Sequence, residues 1–582
     1  MLVTDINGAQ KQRRNGGNMK QSSDLSRMLR QIDRKSYPAY KQLRDEYQFP
    51  SYVLSIDHVQ GDPFAAPSKV SIHIKGKQAA FPKGLYRLPC QKTALEDTLL
   101  REMGKQLRKV SFQAKGSGKS GLMAVSNPGQ EVLERSGCQL AKETGDVVVR
   151  MEIGFPANGR SINARELEKI LFELLPRCVN KSLFYTALDA DQLRETAELA
   201  EDQDAVRRML AERRLVAFVA NGAVLPRESG VSSRPMKQAV AFQSPPSMEV
   251  ELTLPNRGVI RGMGIPQGVT LIVGGGYHGK STLLKALELG IYNHIAGDGR
   301  EFVITDRTAV KLRAEDGRSV KDVDISLFIN NLPNGKDTVR FCTEDASGST
   351  SQAANMMEAM EAASRVFLID EDTSATNFMI RDELMQRVVH RDVEPITPYI
   401  ERVRELYETF GISTVLVAGS SGSYFHKADC IVQMNHYVPA DITEFAKKEA
   451  EEFPVLEEAP ASIQPSFERK FGQNRKLAGS DRVKMKTMGM DGISIDRETI
   501  DLRYVEQLAD PEQLAMLAHL VKYAELHVFD GRRTMAQVVD ILEEKLEKLG
   551  FGGICGEKNV GTGLAMPRRQ EIFACLNRYR RL

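Results

Sequence analysis

The sequence predicts an α/β protein of several domains with a doubly wound sheet at its centre. One apolar run, residues 268–273, enters a glycine-rich loop, and a helical pattern begins at Thr282. A second apolar run, residues 365–369, ends in Asp370 and Glu371. Buried strands that each lead into a loop and a helix are typical of α/β sheets. With 582 residues, of which 42% are hydrophobic, the chain can bury several cores.

The glycine-rich loop has the pattern G-x-x-x-x-G-K-S of a phosphate-binding loop. Its residues are Gly274, Gly275, Gly276, Tyr277, His278, Gly279, Lys280, Ser281 and Thr282. The backbone N–H groups of such a loop and the N-terminus of the next helix bind phosphates. Lys280 is expected to place its charge between two phosphates, and the Ser281 hydroxyl to ligate Mg²⁺. The loop therefore predicts binding of a nucleoside triphosphate with Mg²⁺.

Two carboxylates end the second apolar strand. We expect Asp370 to organise Mg²⁺ and Glu371 to activate the attacking water, with Lys280 as the other catalytic residue. Upstream, Ser347, Gly348 and Ser349 open a helix that leads into this strand. This order of motifs indicates a nucleotide-hydrolysing site.

The order and spacing of these motifs resemble those of ABC-class ATPases. Residues 347–349 resemble the signature loop of that class, usually Leu-Ser-Gly-Gly-Gln, and residues 371–377 resemble its Glu-Pro-Thr-Ser-Ala-Leu-Asp stretch. More closely, residues 343–352 and 375–382 resemble a family of soluble, non-transporter ABC-class ATPases. In that family the nucleotide domain lies between two family-specific domains. The resemblance covers most of the chain.

The resemblance implies a homodimer. In ABC folds the signature loop lies far from the phosphate-binding loop of the same chain. It therefore implies a head-to-tail dimer with two ATP molecules, in which Ser347, Gly348 and Ser349 of one chain complete the site of the other. A serine–glycine loop at a helix N-terminus is itself suited to bind an anion. The choice of ATP over GTP rests on the resemblance, because the sequence identifies no aromatic residue to stack on adenine.

Three positions depart from the ABC pattern, and the first is Ser349, which stands in place of the second signature glycine. The switch histidine is absent, and the switch loop, residues 418–422, reads Ala-Gly-Ser-Ser-Gly. A hydroxyl or a backbone N–H group has to contact the γ-phosphate in its place, which leaves the rate of hydrolysis open. The usual glutamine between the phosphate-binding loop and the signature is also missing. Asn330 or Asn331, at the end of an expected strand over residues 325–329, can replace it or can merely end the strand.

Composition bears on location and partners. The seven cysteines are scattered, without CxxC pairs or metal-ligand spacing, which suits a reducing compartment. The sequence contains no apolar run of the roughly 18 residues that a membrane span needs, and no signal-peptide pattern. We therefore expect a cytoplasmic protein, with a membrane partner as a less favoured alternative.

The chain is expected to contain four regions. They are a basic disordered tail (1–22), an α/β N-terminal domain (23–245), an ABC-type nucleotide-binding domain (246–440) and a mainly helical C-terminal domain with a basic stretch (441–582).

Clusters of basic residues suggest a polyanionic partner. They lie in residues 105–119, 469–486 and 578–581, and nearby aromatic residues could stack on bases: Phe467, Phe471 and Tyr579. We therefore predict an ATPase that clamps or remodels nucleic acid. RNA is favoured over DNA because a eukaryotic branch of the resembled family is linked to RNA handling. The alternatives are a nucleotide-gated scaffold with negligible hydrolysis and a motor for a protein or membrane partner.

Overall fold

The computed structural model describes most of the chain, in two compact units. The described residues are 19–381, 388–453, 464–473, 483–557 and 560–580. The first unit comprises residues up to 127, 135–194 and 561–563, and the second comprises 128–134, 195–560 and 564–582. Parts of the predicted basic regions lie outside the described residues: 1–18, Arg475, Lys476, Arg482 and Arg581.

The first unit is built on a seven-stranded sheet, all antiparallel except for the pair β1 and β2. Its strands follow the order β1-β2-β3-β4-β8-β5, and β7 also pairs with β8. The elements up to residue 182, of which only β6 belongs to the second unit, are β1 (Lys20–Gln21), α1 (Ser22–Ile32), β2 (Glu46–Gln48), β3 (Val53–His58), β4 (Ser68–Ile74), α2 (Gly76–Ala79), α3 (Pro89–Val110), β5 (Met123–Ala124), β6 (Glu131–Val132), β7 (Cys138–Leu140), β8 (Val147–Ile153), β9 (Ala157–Asn158), β10 (Ser161–Ile162), α4 (Ala164–Lys169) and α5 (Leu175–Ser182).

The second unit begins with two sheets that carry the nucleotide-binding motifs. An antiparallel sheet has the order β14-β15-β11-β18, and a mainly parallel sheet has the order β19-β22-β23-β16-β24-β25. The elements of this part are α6 (Ala190–Glu212), β11 (Leu215–Ala220), β12 (Arg227–Ser229), β13 (Ser232–Pro235), β14 (Glu249–Leu254), β15 (Gly258–Pro266), β16 (Val269–Val273), α7 (Lys280–Leu289), β17 (Asn293–His294), β18 (Val303–Thr305), β19 (Val310–Leu312), β20 (Val320–Val323), β21 (Phe341–Thr343), α8 (Gly348–Glu361), β22 (Val366–Asp370), α9 (Thr376–Met379), α10 (Tyr399–Glu408), β23 (Ser413–Val417), β24 (Cys430–Asn435), β25 (Val438–Asp441) and α11 (Thr443–Ala450).

The parallel sheet is covered on both faces, as its apolar strands predict. Side chains alternate along each strand. Leu271 and Phe367 belong to the core that contains α8 and α10. Ile272 and Leu368 belong to the core that contains α7. The predicted α/β fold with a P-loop domain at its centre is confirmed.

The C-terminal part of the second unit combines helices with a small sheet. Its elements are β26 (Met485–Thr487), β27 (Gly492–Ile495), β28 (Glu498–Asp501), α12 (Pro511–His527), α13 (Met535–Cys555) and α14 (Arg569–Asn577). The three strands form an antiparallel sheet and share one core with the helices. No helix within the described residues has the length and apolar character needed to cross a membrane.

The prediction of a strand over residues 325–329 is wrong. The segment forms a turn, in which the N–H groups of Phe328 and Ile329 both donate to the carbonyl oxygen of Ile325. All three side chains are buried, so the apolar run reflects a loop packed into the core instead of a strand. Asn330, which follows the turn, donates from its amide to the carbonyl oxygen of Ser326 at 2.6 Å.

The structure also groups one upstream strand with the nucleotide-binding sheets. β11 lies between β15 and β18, although it precedes the domain boundary predicted at residue 246.

Candidate functional site

Three loops follow neighbouring parallel strands. The phosphate-binding loop follows β16, the switch loop follows β23, and Glu371 follows β22. β23 lies between the other two strands. Because parallel strands present their carboxyl ends at one edge, the three loops share that edge of the sheet. We call it the catalytic edge.

Positive φ angles shape the backbone of the phosphate-binding loop. Gly274, Tyr277 and Gly279 have φ angles of 134°, 64° and 99°. A Cβ atom at Gly274 would lie 2.4 Å from the carbonyl oxygen of Met434, so a side chain does not fit there. Helix α7 begins directly at Lys280, and its first N–H groups therefore face the loop.

Lys280 lies over the loop. Its ammonium donates hydrogen bonds to the carbonyl oxygens of Gly274 and Gly275, at 2.6 and 2.9 Å. Phosphate oxygens are stronger acceptors for an ammonium than carbonyl oxygens are. The lysine is therefore held where a bound phosphate would compete for it.

The residues at the catalytic edge fit a Mg²⁺–nucleotide complex. Ser281, on the first turn of α7, and Asp370, at the end of β22, supply oxygen atoms, which are the ligands that Mg²⁺ prefers. Asp370 is buried, and its Oδ1 atom accepts from the N–H group of Asp372 at 3.2 Å. Among the described residues, no group of three or more histidine, cysteine and acidic side chains offers a separate metal site.

A tight turn between β24 and β25 borders the phosphate-binding loop. His278 Nδ1 accepts from the N–H group of His436 at 2.9 Å, and its carbonyl oxygen accepts from Tyr437 at 3.1 Å. The side chains of Tyr277 and Tyr437 are 100% and 50% exposed. Two exposed aromatic rings thus lie at the loop, and the second was not identified from the sequence.

Glu371 is bound by the switch loop. Its Oε2 atom accepts from the N–H groups of Gly419 and Ser420, at 2.5 and 3.0 Å. Its Oε1 atom accepts from the hydroxyls of Ser420 and Ser421, at 2.7 and 2.5 Å. Burial raises the pKa of Glu371, but the hydrogen bonds from Ser421, Ser420 and Gly419 outweigh burial and hold the pKa below its ordinary value.

The signature loop caps helix α8. The Ser347 hydroxyl accepts from the N–H group of Thr350 at 3.4 Å, a long capping bond. Ser349, which replaces a glycine of the ABC pattern, is accommodated because its hydroxyl donates to Asn377 Oδ1 at 2.8 Å. Gln352 donates to the Ser374 hydroxyl at 3.0 Å. The signature is thus joined to the segment that follows Asp370 and Glu371.

The signature loop and the phosphate-binding loop lie on different sides of β22. Helix α8 packs on β19 and β20, whereas the phosphate-binding loop follows β16, three strands from β19. Neighbouring strands are about 4.8 Å apart, so a span of about 14 Å separates β19 from β16.

The far end of α8 lies among buried ion pairs, which we call the helix base. Arg318 donates from Nη2 to Glu358 Oε1 at 2.6 Å. Arg469 donates from Nε to Glu361 Oε2 at 2.7 Å. All four side chains are buried. Glu358 and Glu361 belong to α8, so both arginines hold the last turn of this helix.

The C-terminal part of the chain contributes a third arginine to the helix base. Arg578 donates from Nε to Glu315 Oε2 at 3.2 Å and from Nη2 to Asn355 Oδ1 at 3.2 Å. Asn355, on α8, also donates to Glu315 Oε1 at 3.0 Å. Burial raises the pKa of Glu315, but Arg578 and Arg318 outweigh burial and hold the pKa below its ordinary value. Sequence reasoning missed this cluster, because its partners are far apart in the chain.

Several residues of the predicted polyanion surface are buried instead. Arg469 and Arg578 are buried in the ion pairs of the helix base, and so they are not available to a polyanion. The rings of Phe471 and Tyr579 are buried in the C-terminal core, and Phe467 packs against the core of the nucleotide domain. The prediction that these aromatic side chains stack on bases is therefore wrong for Phe471 and Tyr579.

The basic cluster in residues 105–119 does reach the surface of the first unit. A cleft of about 390 Å³ lies there between α3, α5 and the start of α6. Its exposed cations are Lys105, Lys109 and Lys181. Two acidic residues, Glu102 and Asp189, also line the cleft, and Glu102 lies 3.3 Å from Lys105. The cleft carries a net positive charge and is open to solvent.

Three family descriptions match successive parts of the chain. Residues 22–186 match the N-terminal domain of ATPases of the ABC class, residues 189–469 match the ABC-ATPase P-loop domain, and residues 484–582 match the MRB1590 C-terminal domain. The predicted family resemblance is confirmed: an ABC-class P-loop domain lies between these two flanking domains.

Individual proteins are similar to parts of the chain. An uncharacterized protein of Methanocaldococcus jannaschii, MJ1628, is 30% identical over 268 residues, which are 44% of this chain and 58% of that protein. The chain thus spans little more than half of this curated relative. CbiO1 from Clostridium perfringens, part of an ABC transporter complex, matches 41% of this chain and 94% of its own at 14% identity, with a TM-score of 0.25. A bacterial Atm1-family ABC exporter with ATP bound matches 39% and 38% at 14% identity, with a TM-score of 0.23.

Proposed function

We propose that this chain, an ABC-class P-loop ATPase, hydrolyses ATP with Mg²⁺ as a head-to-tail homodimer and couples hydrolysis to binding of single-stranded RNA. The observation that carries the proposal is the arrangement at the catalytic edge. There the phosphate-binding loop follows β16, and Asp370 and Glu371 stand at the end of β22, two strands away in the same parallel sheet.

Each residue of the edge has a role in the proposed reaction. Lys280 and the loop N–H groups bind the β- and γ-phosphates. Ser281 and Asp370 hold Mg²⁺, which neutralises charge on the phosphate oxygens when it is bound. Glu371 accepts a proton from the water that attacks the γ-phosphorus. The bond from that phosphorus to the bridging oxygen breaks, and ADP leaves with the electron pair.

The position of the signature loop supports a dimer. A nucleotide on the loop after β16 would lie on the other side of β22 from the helix that carries Ser347 and Gly348. The helix N-terminus and the Ser347 hydroxyl suit an anion, and in this arrangement they face the γ-phosphate of a second chain. The predicted roles of Ser347, Gly348 and Ser349 thus require two copies.

The dimer has a direct test. We expect Glu371→Gln to bind ATP without cleaving it and to sediment as a dimer when ATP and Mg²⁺ are present. Lys280→Ala is the control, since it should remain monomeric under the same conditions. A monomeric Glu371→Gln protein at saturating ATP would contradict the sandwich arrangement.

The cleft of the first unit supports RNA as the partner. Lys105, Lys109 and Lys181 present cations along an open groove, as single-strand binding requires. The triple alanine variant should bind single-stranded RNA more weakly, and the slope of log affinity against log salt should fall by about 2. A matched control replaces three exposed lysines outside the cleft: Lys41, Lys447 and Lys448. An equal loss of RNA affinity in both triple variants would show that the cleft is not the RNA-binding surface.

The coupling is tested by steady-state ATP hydrolysis with and without single-stranded RNA. Glu371→Gln serves as the blank, and single-stranded DNA of the same sequence tests the choice of RNA. Stimulation by RNA that declines with added salt supports the proposal. An unchanged rate would overturn the RNA part, and a rate equal to the blank would favour a nucleotide-gated scaffold.

A further inference from the structure

The switch loop holds an anion with four donors. Two N–H groups and two hydroxyls from residues 419–421 converge on the two oxygens of Glu371, at 2.5–3.0 Å. A set of donors that binds a carboxylate is also suited to phosphoryl oxygens, because both are anionic oxygen acceptors. In this structure the donors are used by the side chain that the proposed reaction needs as a base.

The loop lies next to the phosphate-binding strand. The N–H group of Ala418 donates to the carbonyl oxygen of Ile272 on β16 at 3.0 Å. β16 leads into the phosphate-binding loop, and neighbouring strands are about 4.8 Å apart. The start of the switch loop therefore lies one strand spacing from the strand that leads into the phosphate-binding loop. Ser420 is exposed and Ser421 is half-buried, so both can change partner.

We propose that the hydroxyls of Ser420 and Ser421 change their hydrogen-bond acceptor from Glu371 to the γ-phosphate when ATP binds. Without nucleotide they donate to the Glu371 carboxylate, and we call this arrangement the lock. With ATP bound, their hydroxyls donate to the γ-phosphate and release Glu371 to face the attacking water. The two serines thus take over the contact that the missing histidine would make. This proposal rests on the proposed ATPase function.

ADP lacks the γ-phosphate and therefore offers the hydroxyls of Ser420 and Ser421 no acceptor in place of Glu371. The affinity for a triphosphate therefore depends on the serines, and the affinity for ADP does not. The test uses calorimetry with Mg²⁺ and two probes, ADP and the slowly hydrolysed ATP analogue adenylyl imidodiphosphate. We expect Ser420→Ala/Ser421→Ala to weaken analogue binding by about tenfold and to leave ADP binding within about twofold, as expected for lost hydrogen bonds to a charged group.

Two further variants separate positioning from a structural effect. Ser420→Thr/Ser421→Thr keeps both hydroxyls and should restore analogue binding. Ser423→Ala removes a hydroxyl two residues further along the chain and should behave as the wild type. In steady-state hydrolysis, the double alanine variant should lower kcat and raise KM for ATP. Equal weakening of ADP and analogue, or failure of the threonine variant to rescue, would overturn the proposal.

A double-mutant cycle tests the lock itself. Glu371→Gln replaces the charged acceptor with a neutral one, which holds the donors less strongly. It should tighten analogue binding in the wild-type background, and this gain should be several times smaller in the double alanine background. Removal of the negative charge near the γ-phosphate acts equally in both. A gain of the same size in both backgrounds would overturn the lock, whereas a wild type that binds neither probe would refute the proposed function.

Discussion

The catalytic edge and the helix base hold their charges in different ways. At the edge, Lys280 and Glu371 contact neutral carbonyl, N–H and hydroxyl groups of nearby loops. At the base, the carboxylates of α8 face arginines in the interior. A ligand can replace the neutral partners at the edge with little loss. A partner lost at the base leaves a buried charge unpaired, which is costly.

The same comparison assigns different tasks to the two ends of α8. Its N-terminus carries the exposed Ser347 and contacts the segment after the carboxylates. Its C-terminus is bound to Arg318 and Arg469. Asn355 of the same helix accepts a hydrogen bond from Arg578 of the C-terminal part. A displacement of the signature loop therefore moves a helix that is fixed to the C-terminal part of the chain.

The largest expected effect is on stability at the helix base. We predict that Glu358→Ala lowers the free energy of unfolding by about 3–5 kcal/mol, because it removes the carboxylate that forms the ion pair with the buried Arg318. Urea denaturation followed by circular dichroism measures this. Glu358→Gln, which keeps the size of the side chain, should also destabilise, since it removes the charge. A loss below about 1 kcal/mol in both variants would mean that the base is not held by its charges.

The next largest effect is on ATP affinity at the catalytic edge, with no change in stability. Lys280→Ala removes two charge-assisted hydrogen bonds to phosphates and should weaken ATP binding by about 100-fold, which is about 3 kcal/mol. Its unfolding free energy should equal that of the wild type. Lys285→Ala, on the exposed side of the same helix, is the control. Unchanged ATP affinity in Lys280→Ala would show that nucleotide binds elsewhere.

A smaller effect is expected where the signature meets the following segment. Ser349→Ala removes the hydrogen bond to Asn377, whose side chain is exposed and can bond to water instead. The unfolding free energy should fall by about 1 kcal/mol or less. Thermal denaturation measures this. A loss of several kcal/mol would mean that this contact stabilises the fold as strongly as the buried ion pairs of the helix base do.

The smallest effect is expected for a surface ion pair. Glu344 lies 2.6 Å from Lys321, and its side chain is 63% exposed. Glu344→Ala should change the unfolding free energy by less than about 1 kcal/mol, because water screens the pair. It is the matched control for Glu358→Ala, and equal losses in the two variants would remove the distinction between buried and exposed pairs.

Local motifs made much of the site predictable. The phosphate-binding loop and the carboxylates Asp370 and Glu371 each stand at the end of an apolar run, so the sequence placed each motif at the end of a buried strand. The four bonds to Glu371 were not predictable, because they join residues 48–50 positions apart. The missing histidine was the available signal, since it indicated a role for a hydroxyl or an N–H group of residues 418–422.

Charge patterns in the sequence predicted the structure less well than the motifs did. Arg469 and Arg578 look like surface cations in the sequence, but each meets a buried carboxylate that is more than 100 positions away. Conversely, Lys105 and Lys181 are far apart in the chain and line one cleft. A run of charged residues in the sequence shows neither whether the side chains are buried nor which groups they contact. Both depend on how α8 and α3 pack.

The most direct test of the account mixes two inactive variants. Lys280→Ala has a defective phosphate-binding loop and an intact signature. Gly348→Asp has the reverse, because its Cβ atom would lie 3.3 Å from Asp316 Oδ1 and its carboxylate would repel the γ-phosphate of the other chain in the proposed dimer. We predict that each is inactive alone and that their mixture hydrolyses ATP well above the sum of the two separate rates, since one intact site forms in each mixed dimer. A mixture no more active than that sum would contradict a site shared between two chains.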